Sequence, residues 1–184
     1  MKLNRKNDWW GGIILTLSLV VSACSTAQPQ SVPIIPTLSV NEISTLRIAM
    51  GQTVFVPAYS EIFYGGENRL LSLTTTLAIH NTDLEHPIII SSVRYYNTDG
   101  ELVREFVDTP LQLNAMATTG FVIESQDTTG GWGANFLVEW VAESPVYEPV
   151  IEAVMVSSTG TEGVSFISEG RIVSEQAAPQ QTEP

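Results

Sequence analysis

Leu71-Ser-Leu-Thr-Thr-Thr-Leu-Ala-Ile79 is the stretch on which the fold turns. Leu71, Leu73, Thr75, Leu77 and Ile79 share one face of an extended chain, while Ser72, Thr74, Thr76 and Ala78 share the other. A period of two with β-branched filling predicts a strand buried on one side. Downstream, Ile88 to Tyr96 keeps Ile89, Val93 and Tyr95 in phase, and Asn97-Thr98-Asp99-Gly100 supplies residues that tolerate positive φ. Glu101 to Val107 is then expected to run back as a hairpin partner. Phe121 to Glu124 reads as a further strand, and Asn135 to Val141 as another, with Phe136, Val138 and Trp140 on one face and Glu139 on the other. Val150 to Val156 lacks alternation, which predicts a strand central in its sheet or buried on both faces. Thr53 to Ala58, Val164 to Ile167 and Arg171 to Val173 complete the set. With no long stretch of helical period, roughly eight strands at this spacing predict an all-β fold. The expected architecture is a single antiparallel two-sheet sandwich, immunoglobulin-like. A small barrel shares the pattern, and strand count alone does not separate the two.

The folded domain is accordingly placed at 51–173. After Val173 there is no large apolar residue, so 174–184 are expected to form a disordered tail. Residues 24–50 read as a tether, rich in Ser, Thr, Gln and Pro as far as about Val40. As a flexible coil of about 25 residues its mean reach is roughly 25–30 Å. Ile34, Ile35, Leu38, Ile43, Leu46 and Ile48 are more apolar than a free linker requires, so part of it is expected to dock on the domain.

The first residues carry an address. Lys2, Arg5 and Lys6 precede an apolar run from Ile13 to Val21 that closes on Ser22-Ala23-Cys24, the layout of a secretory signal over 1–23. From Gly11 to Ala23 the stretch falls short of the roughly 20 helical residues that cross a bilayer core. Val21-Ser22-Ala23-Cys24 resembles the bacterial lipobox, and that resemblance implies a covalent lipid on Cys24. Two or three acyl chains anchor a protein stably where one does so only marginally. The partner so implied is a membrane; an ordinary signal with a chance cysteine is the alternative. By analogy with sorting rules, Ser25 in place of an aspartate points to an outer membrane where one exists. With its one thiol lipidated, the exported domain has no disulfide, and its core must carry its stability.

Three of the eight cationic residues and one of the twenty acidic residues lie in the signal. The mature chain therefore keeps five arginines, no lysine and nineteen carboxylates, a formal charge of −14. Such a surface repels phosphate polymers, which argues against a nucleic-acid partner. Without lysine there is no P-loop phosphate site and no Schiff-base chemistry. Solubility alone also accounts for the acidity.

Pro57-Ala-Tyr59-Ser60 with Tyr64-Gly65, Asn81-Thr82-Asp83, Tyr95-Tyr96-Asn97-Thr98-Asp99-Gly100, and Gly133-Ala134-Asn135-Phe136-Leu137-Val138-Glu139-Trp140 with Glu152-Ala153-Val154 together resemble a bacterial family catalogued as domain of unknown function 3124. The resemblance spans about Gly51 to Val173. It implies a lipoprotein signal and names no activity, cofactor or site.

Among candidate sites, His80, Asp83, Glu85 and His86 crowd one strand end and turn, and His80, Asp83 and His86 are the metal candidates. A solvated turn ahead of Pro87 is the competing reading, and no cofactor is called for. Asp127-Thr-Thr-Gly130-Gly131-Trp132-Gly133 is the most unusual loop: glycines permit close backbone approach, and Trp132 is a large ring with little to shield it. Exposed, it is a natural anchor for an envelope protein or a glycan; folded back, it closes an end of the domain. Glu61-Ile-Phe63-Tyr64-Gly-Gly66 is a second aromatic loop, near the first or at the opposite end. Calcium at Asp127 or at Asp99 and Glu101 lacks the spaced carboxylates of an EF-hand. Hydrolytic catalysis has little support, since no G-x-S-x-G elbow is present. A binding or accessory module is the expectation, with a metal-binding protein or metal-dependent enzyme at the His80, Asp83 and His86 turn as the alternative.

Overall fold

The computed structural model describes residues 36–38, 46–66, 68–157 and 163–177. All fall within Ile34–Pro184, the second of two units into which the chain divides. The expected signal at 1–23, Cys24 and most of the tether lie outside the described residues, as do 178–184.

The alternation in 71–79 is present, divided between two strands. Leu73 separates them: it is fully buried, and its N–H donates to the Ser60 carbonyl at 2.8 Å, one step beyond the Glu61–Ser72 pair of the first strand's hairpin. In chain order the elements are β1 (Met50–Pro57), β2 (Glu61–Phe63), β3 (Leu70–Ser72), β4 (Thr74–His80), β5 (Ile88–Tyr96), β6 (Leu102–Glu105), β7 (Leu111–Leu113), β8 (Thr118–Ile123), a 3-10 turn (Gly131–Gly133), β9 (Asn135–Ala142), β10 (Val150–Ser157), β11 (Val164–Glu169) and β12 (Arg171–Ala177). The described fold is thus all-β, twelve strands in three antiparallel sheets. No described helix is long and apolar enough to cross a membrane.

The largest sheet runs β12-β1-β9-β5-β6, with β7 also on β5; the second runs β11-β10-β4-β8; β2 and β3 form a separate hairpin. Period-two burial explains how the two large sheets share one core. Val54 and Val56 of β1, Val93 and Tyr95 of β5, and Phe136, Val138 and Trp140 of β9 join Leu77 and Ile79 of β4 and Ile151, Ala153 and Met155 of β10 in one cluster. Each large apolar side chain so buried contributes about 1.5–3 kcal/mol. The Asn97–Gly100 hairpin forms as expected: the Asn97 carboxamide oxygen accepts from the N–H groups of Asp99 and Glu101, and Gly100 has φ of 80°.

Four expectations need correction. The roughly eight strands expected are twelve among the described residues, because β2 and β7 are three-residue strands too short to show a period and the 71–79 alternation divides into β3 and β4. β10 does alternate, with Ile151, Ala153 and Met155 buried and Val150 and Val156 exposed, so it is interior to its sheet but not buried on both faces. Ser174 to Ala177 do not begin a tail; they continue β12, paired on β1 as far as Met50 opposite Ala177. Met50 itself belongs to β1 rather than to the tether. Part of the tether docks, since Thr37 bridges Leu111, Leu38 N–H donates to the Pro110 carbonyl and Gln112 N–H to that of Pro36.

The strand directions give the body two ends. Met50, the 81–87 connection, the 114–117 turn and the 143–149 connection lie at one; the Asn97–Gly100 hairpin and the Trp132 loop lie at the other. Between them runs β9, seven steps from Asn135 to Ala142, about 23 Å at 3.3 Å per residue.

Candidate functional site

At the Trp132 end the structure brings the two aromatic loops together. Phe63 closes β2, Trp132 stands in the 3-10 turn, and their ring centroids are 5.9 Å apart at a 47° tilt. Tilted ring pairs at this spacing are attractive beyond their buried area. Even so paired, Phe63 stays 58% and Trp132 52% exposed, so the tryptophan does not fold back to close the domain. Tyr64, also exposed, follows Phe63, and the Arg69 guanidinium lies 6.0 Å from its ring centroid. Leu70, opposite Phe63 in the hairpin, extends the apolar surface.

The residues beneath hold this loop from several elements. Gly131 has φ of 72°, and a Cβ there would stand 2.6 Å from the Thr98 hydroxyl, so the position favours glycine on both counts. Its carbonyl accepts from the N–H of Ser60 at 3.2 Å and from the Ser60 hydroxyl at 3.1 Å. One residue earlier, the Gly130 carbonyl accepts from the N–H and the hydroxyl of Thr98 at 2.9 and 3.0 Å. The Thr98 hydroxyl oxygen in turn accepts from Gly133 N–H at 3.0 Å. Asp127, at the start of the loop, takes hydrogen bonds from the N–H and hydroxyl of Thr129 and from Arg104 at 2.8 Å. The Thr129 hydroxyl is the first cause of its lowered pKa, with burial opposing and Arg104 helping. Asp127 is therefore engaged in bracing the turn.

The histidine turn lies at the Met50 end, and its members separate. His80 Nδ1 pairs with the Thr118 hydroxyl at 2.9 Å across the β4–β8 ladder. Asp83 and His86 do meet, Oδ1 to Nδ1 at 3.3 Å. Most of the Asp83 carboxylate serves the backbone: Oδ1 accepts from Glu85 and His86 N–H at 2.9 and 2.8 Å, and Oδ2 from Tyr147 N–H at 3.2 Å. The Glu85 N–H above all, then that of His86, hold its pKa at about 2 against the opposing effect of burial. Among the described residues no group of three His, Cys, Asp or Glu side chains is placed to hold a metal ion.

Sequence reasoning identified Trp132, Phe63 and Tyr64 by residue type. It missed Leu70, and it missed Ser60 and Thr98, whose roles are set by carbonyls far away in the chain; Ser60 and Thr98 do stand inside the motifs that carry the family resemblance.

Comparison with known proteins agrees with that resemblance. Residues 51–173 match the family model described as "Protein of unknown function (DUF3124)". No curated protein matches the chain. Among solved structures the chain is similar to one described as "Crystal Structure of Thermotoga maritima 1070", with a TM-score of 0.37 and 12% identity, covering 65% of this chain and 92% of that one.

Proposed function

The chain belongs to the DUF3124 family of proteins of unknown function, and we propose that it is an exported lipoprotein, held to a bacterial membrane through a lipid on Cys24, whose β domain is a binding or accessory module of the cell envelope. The contact patch is Trp132 with Phe63 and Tyr64, and the partner is an envelope protein or glycan. One observation carries this reading: a half-exposed aromatic pair on a loop braced by Ser60 and Thr98. An exposed ring normally gains by burial, and a loop already fixed in place loses little entropy when a partner covers it. Tryptophan so held has the character of a binding hot spot.

The domain is an immunoglobulin-like sandwich of the two large sheets, a reading supported by the single core to which both contribute. Its orientation follows from its ends. Met50 lies about 23 Å of strand from the patch, so a lipid upstream of Met50 leaves the aromatic pair pointing away from the bilayer, toward the envelope space. The docked 36–38 segment shortens the tether. From Cys24 to Pro36 are twelve steps along the chain, which cannot span more than about 43 Å at 3.6 Å per residue. The outer membrane is the expected location where the cell has one.

The test is Trp132→Ala in the native cell with cross-linking and pulldown. The substitution removes a half-exposed ring and its pairing with Phe63, a loss of about 0.5–1.5 kcal/mol that leaves the fold standing, while the envelope partners recovered with the wild type are lost. An unchanged partner set removes the patch. Mass spectrometry of the same preparation tests the anchor separately, since an unmodified Cys24 thiol rules it out.

A further inference from the structure

The Met50 end carries a second apolar surface that the aromatic patch does not account for. Leu84 is 71% exposed, Met116 63% and Tyr147 71%, each on a different connection. Isolated exposed apolar residues need no explanation, but three on adjoining loops do. These loops are joined by the Asn81-Thr82-Asp83 motif. Asn81, buried, donates its carboxamide to the carbonyls of His86, Leu113 and Asn114 at 2.9, 3.2 and 3.0 Å. Thr82 donates its hydroxyl to the Glu148 carbonyl at 2.8 Å. Asp83 fixes Tyr147 through its carboxylate, and its carbonyl takes the N–H of Met116 at 3.0 Å. Met116 is held at a φ of 59°, uncommon for a residue with a side chain, and is displayed outward all the same. An open groove of about 510 Å³ lies between the 83–86 and 145–147 segments.

We infer that these three loops are a lipid-facing foot, with Leu84, Met116 and Tyr147 entering the interface of a zwitterionic bilayer; the inference rests on the lipid anchor proposed above. The described chain enters near this end, where the Pro36 carbonyl takes the N–H of Gln112, the partner of Ile89, and β1 is led in from the same end by Ala49 N–H on the Ala142 carbonyl and Arg47 N–H on Glu143, so a lipid upstream brings this end, not the other, against the membrane. Leucine and methionine have only an apolar surface to offer there, and tyrosine is suited to a boundary that is apolar on one side and wet on the other. The surrounding charge selects the lipid. Glu85, Glu143 and Glu148 stand on the same loops and outnumber Arg47, which lies beside Glu143, so an anionic headgroup is repelled and one with an ammonium is favoured.

The experiment uses the full-length protein, expressed with its signal, purified from membranes and reconstituted into phosphatidylethanolamine–phosphatidylcholine vesicles. Tyr147→Trp places a fluorophore in the foot, while Trp132 and Trp140 report the far end and the core. With acyl chains brominated near the headgroup, added emission from position 147 should be quenched and blue-shifted, with the wild-type signal unaffected. Replacing half of the lipid by phosphatidylglycerol should weaken the quenching. A floated protein in which position 147 remains water-exposed overturns the foot while leaving the anchor standing, and marks the loops as a protein-contact surface instead. Equal quenching of the wild-type tryptophans also overturns it, since the body then lies on its side. A protein that does not float refutes the anchor and the foot with it.

Discussion

Gly130→Ala probes how the patch is held. Gly130 has φ −73° and ψ −31°, a conformation that alanine adopts without strain, so backbone preference alone favours the substitution. On that account alanine stabilises by about 0.4–1 kcal/mol, through a less flexible unfolded chain. Space dictates the opposite. A Cβ at this position lies 1.8 Å from the Tyr95 hydroxyl oxygen, 2.6 Å from Tyr95 Cζ and 2.7 Å from Ala134 Cβ, against an ordinary contact of about 3.5–4.0 Å. Tyr95 is buried, with its ring 4.9 Å from that of Phe136, and does not retreat easily. The loop must therefore shift, and it carries Trp132. Overpacking of this kind costs about 1–3 kcal/mol, so the net effect is a loss of about 1–2 kcal/mol. With a urea slope of about 1.5 kcal/mol per molar, the unfolding midpoint falls by about 1 M. The assay is urea unfolding followed by far-ultraviolet circular dichroism, with near-ultraviolet bands reporting the Phe63–Trp132 pairing. A Tyr95→Phe background removes the nearest atom and should recover part of the loss, a coupling of about 0.5–1 kcal/mol, at the low end for side chains in contact. A midpoint that rises, with unchanged near-ultraviolet bands, would refute the steric reasoning.

Leu77→Ala, in a side chain wholly buried between the large sheets, is expected to lower stability by about 2–5 kcal/mol, read from the same unfolding curves. Asp83 has its folded pKa depressed to about 2, so its stabilising effect is complete above the unfolded carboxylate value of about 3.9 and is lost as pH falls toward 2. Asp83→Asn should flatten the acid limb of stability against pH between those values; an unaltered limb counts against the assignment. Arg104→Gln breaks an ion pair whose arginine is half exposed and should cost less than about 1 kcal/mol, with the cost shrinking further in high salt.

The strands with a buried face were readable because burial writes a period of two into the residues. β5 was found end to end, and β9 to within one residue. What burial does not record is the partner. Leu71 and Leu77 lie in one unbroken alternation, yet β3 pairs with β2 and β4 with β10 and β8, and nothing in the side chains marks the change at Leu73. β12 shows the converse. Lying at the sheet rim, it need not bury its side chains, so Ser174, Glu175 and Gln176 looked like a tail while their backbone pairs with β1. The candidate site was legible as residue types only. Phe63 and Trp132 are far apart in sequence, and their meeting depends on the Ser60 and Thr98 hydrogen bonds to glycine carbonyls. In the same way, the nearness of His80 to His86 along the chain concealed that a strand end and a turn send them to different partners.

The antiparallel seating of β1 sets how the domain bears load. It is bonded to β9 from Met50 through Pro57 and to β12 along its other edge. A pull between residue 50 and the Trp132 loop acts along the strand axis, so the hydrogen bonds on both flanks are sheared together and share the force. A pull between residues 50 and 177, which are register partners, peels β12 off one bond at a time. The same body is therefore mechanically stiff along one axis and easily unzipped along another, a contrast that single-molecule extension from the two attachment pairs would reveal.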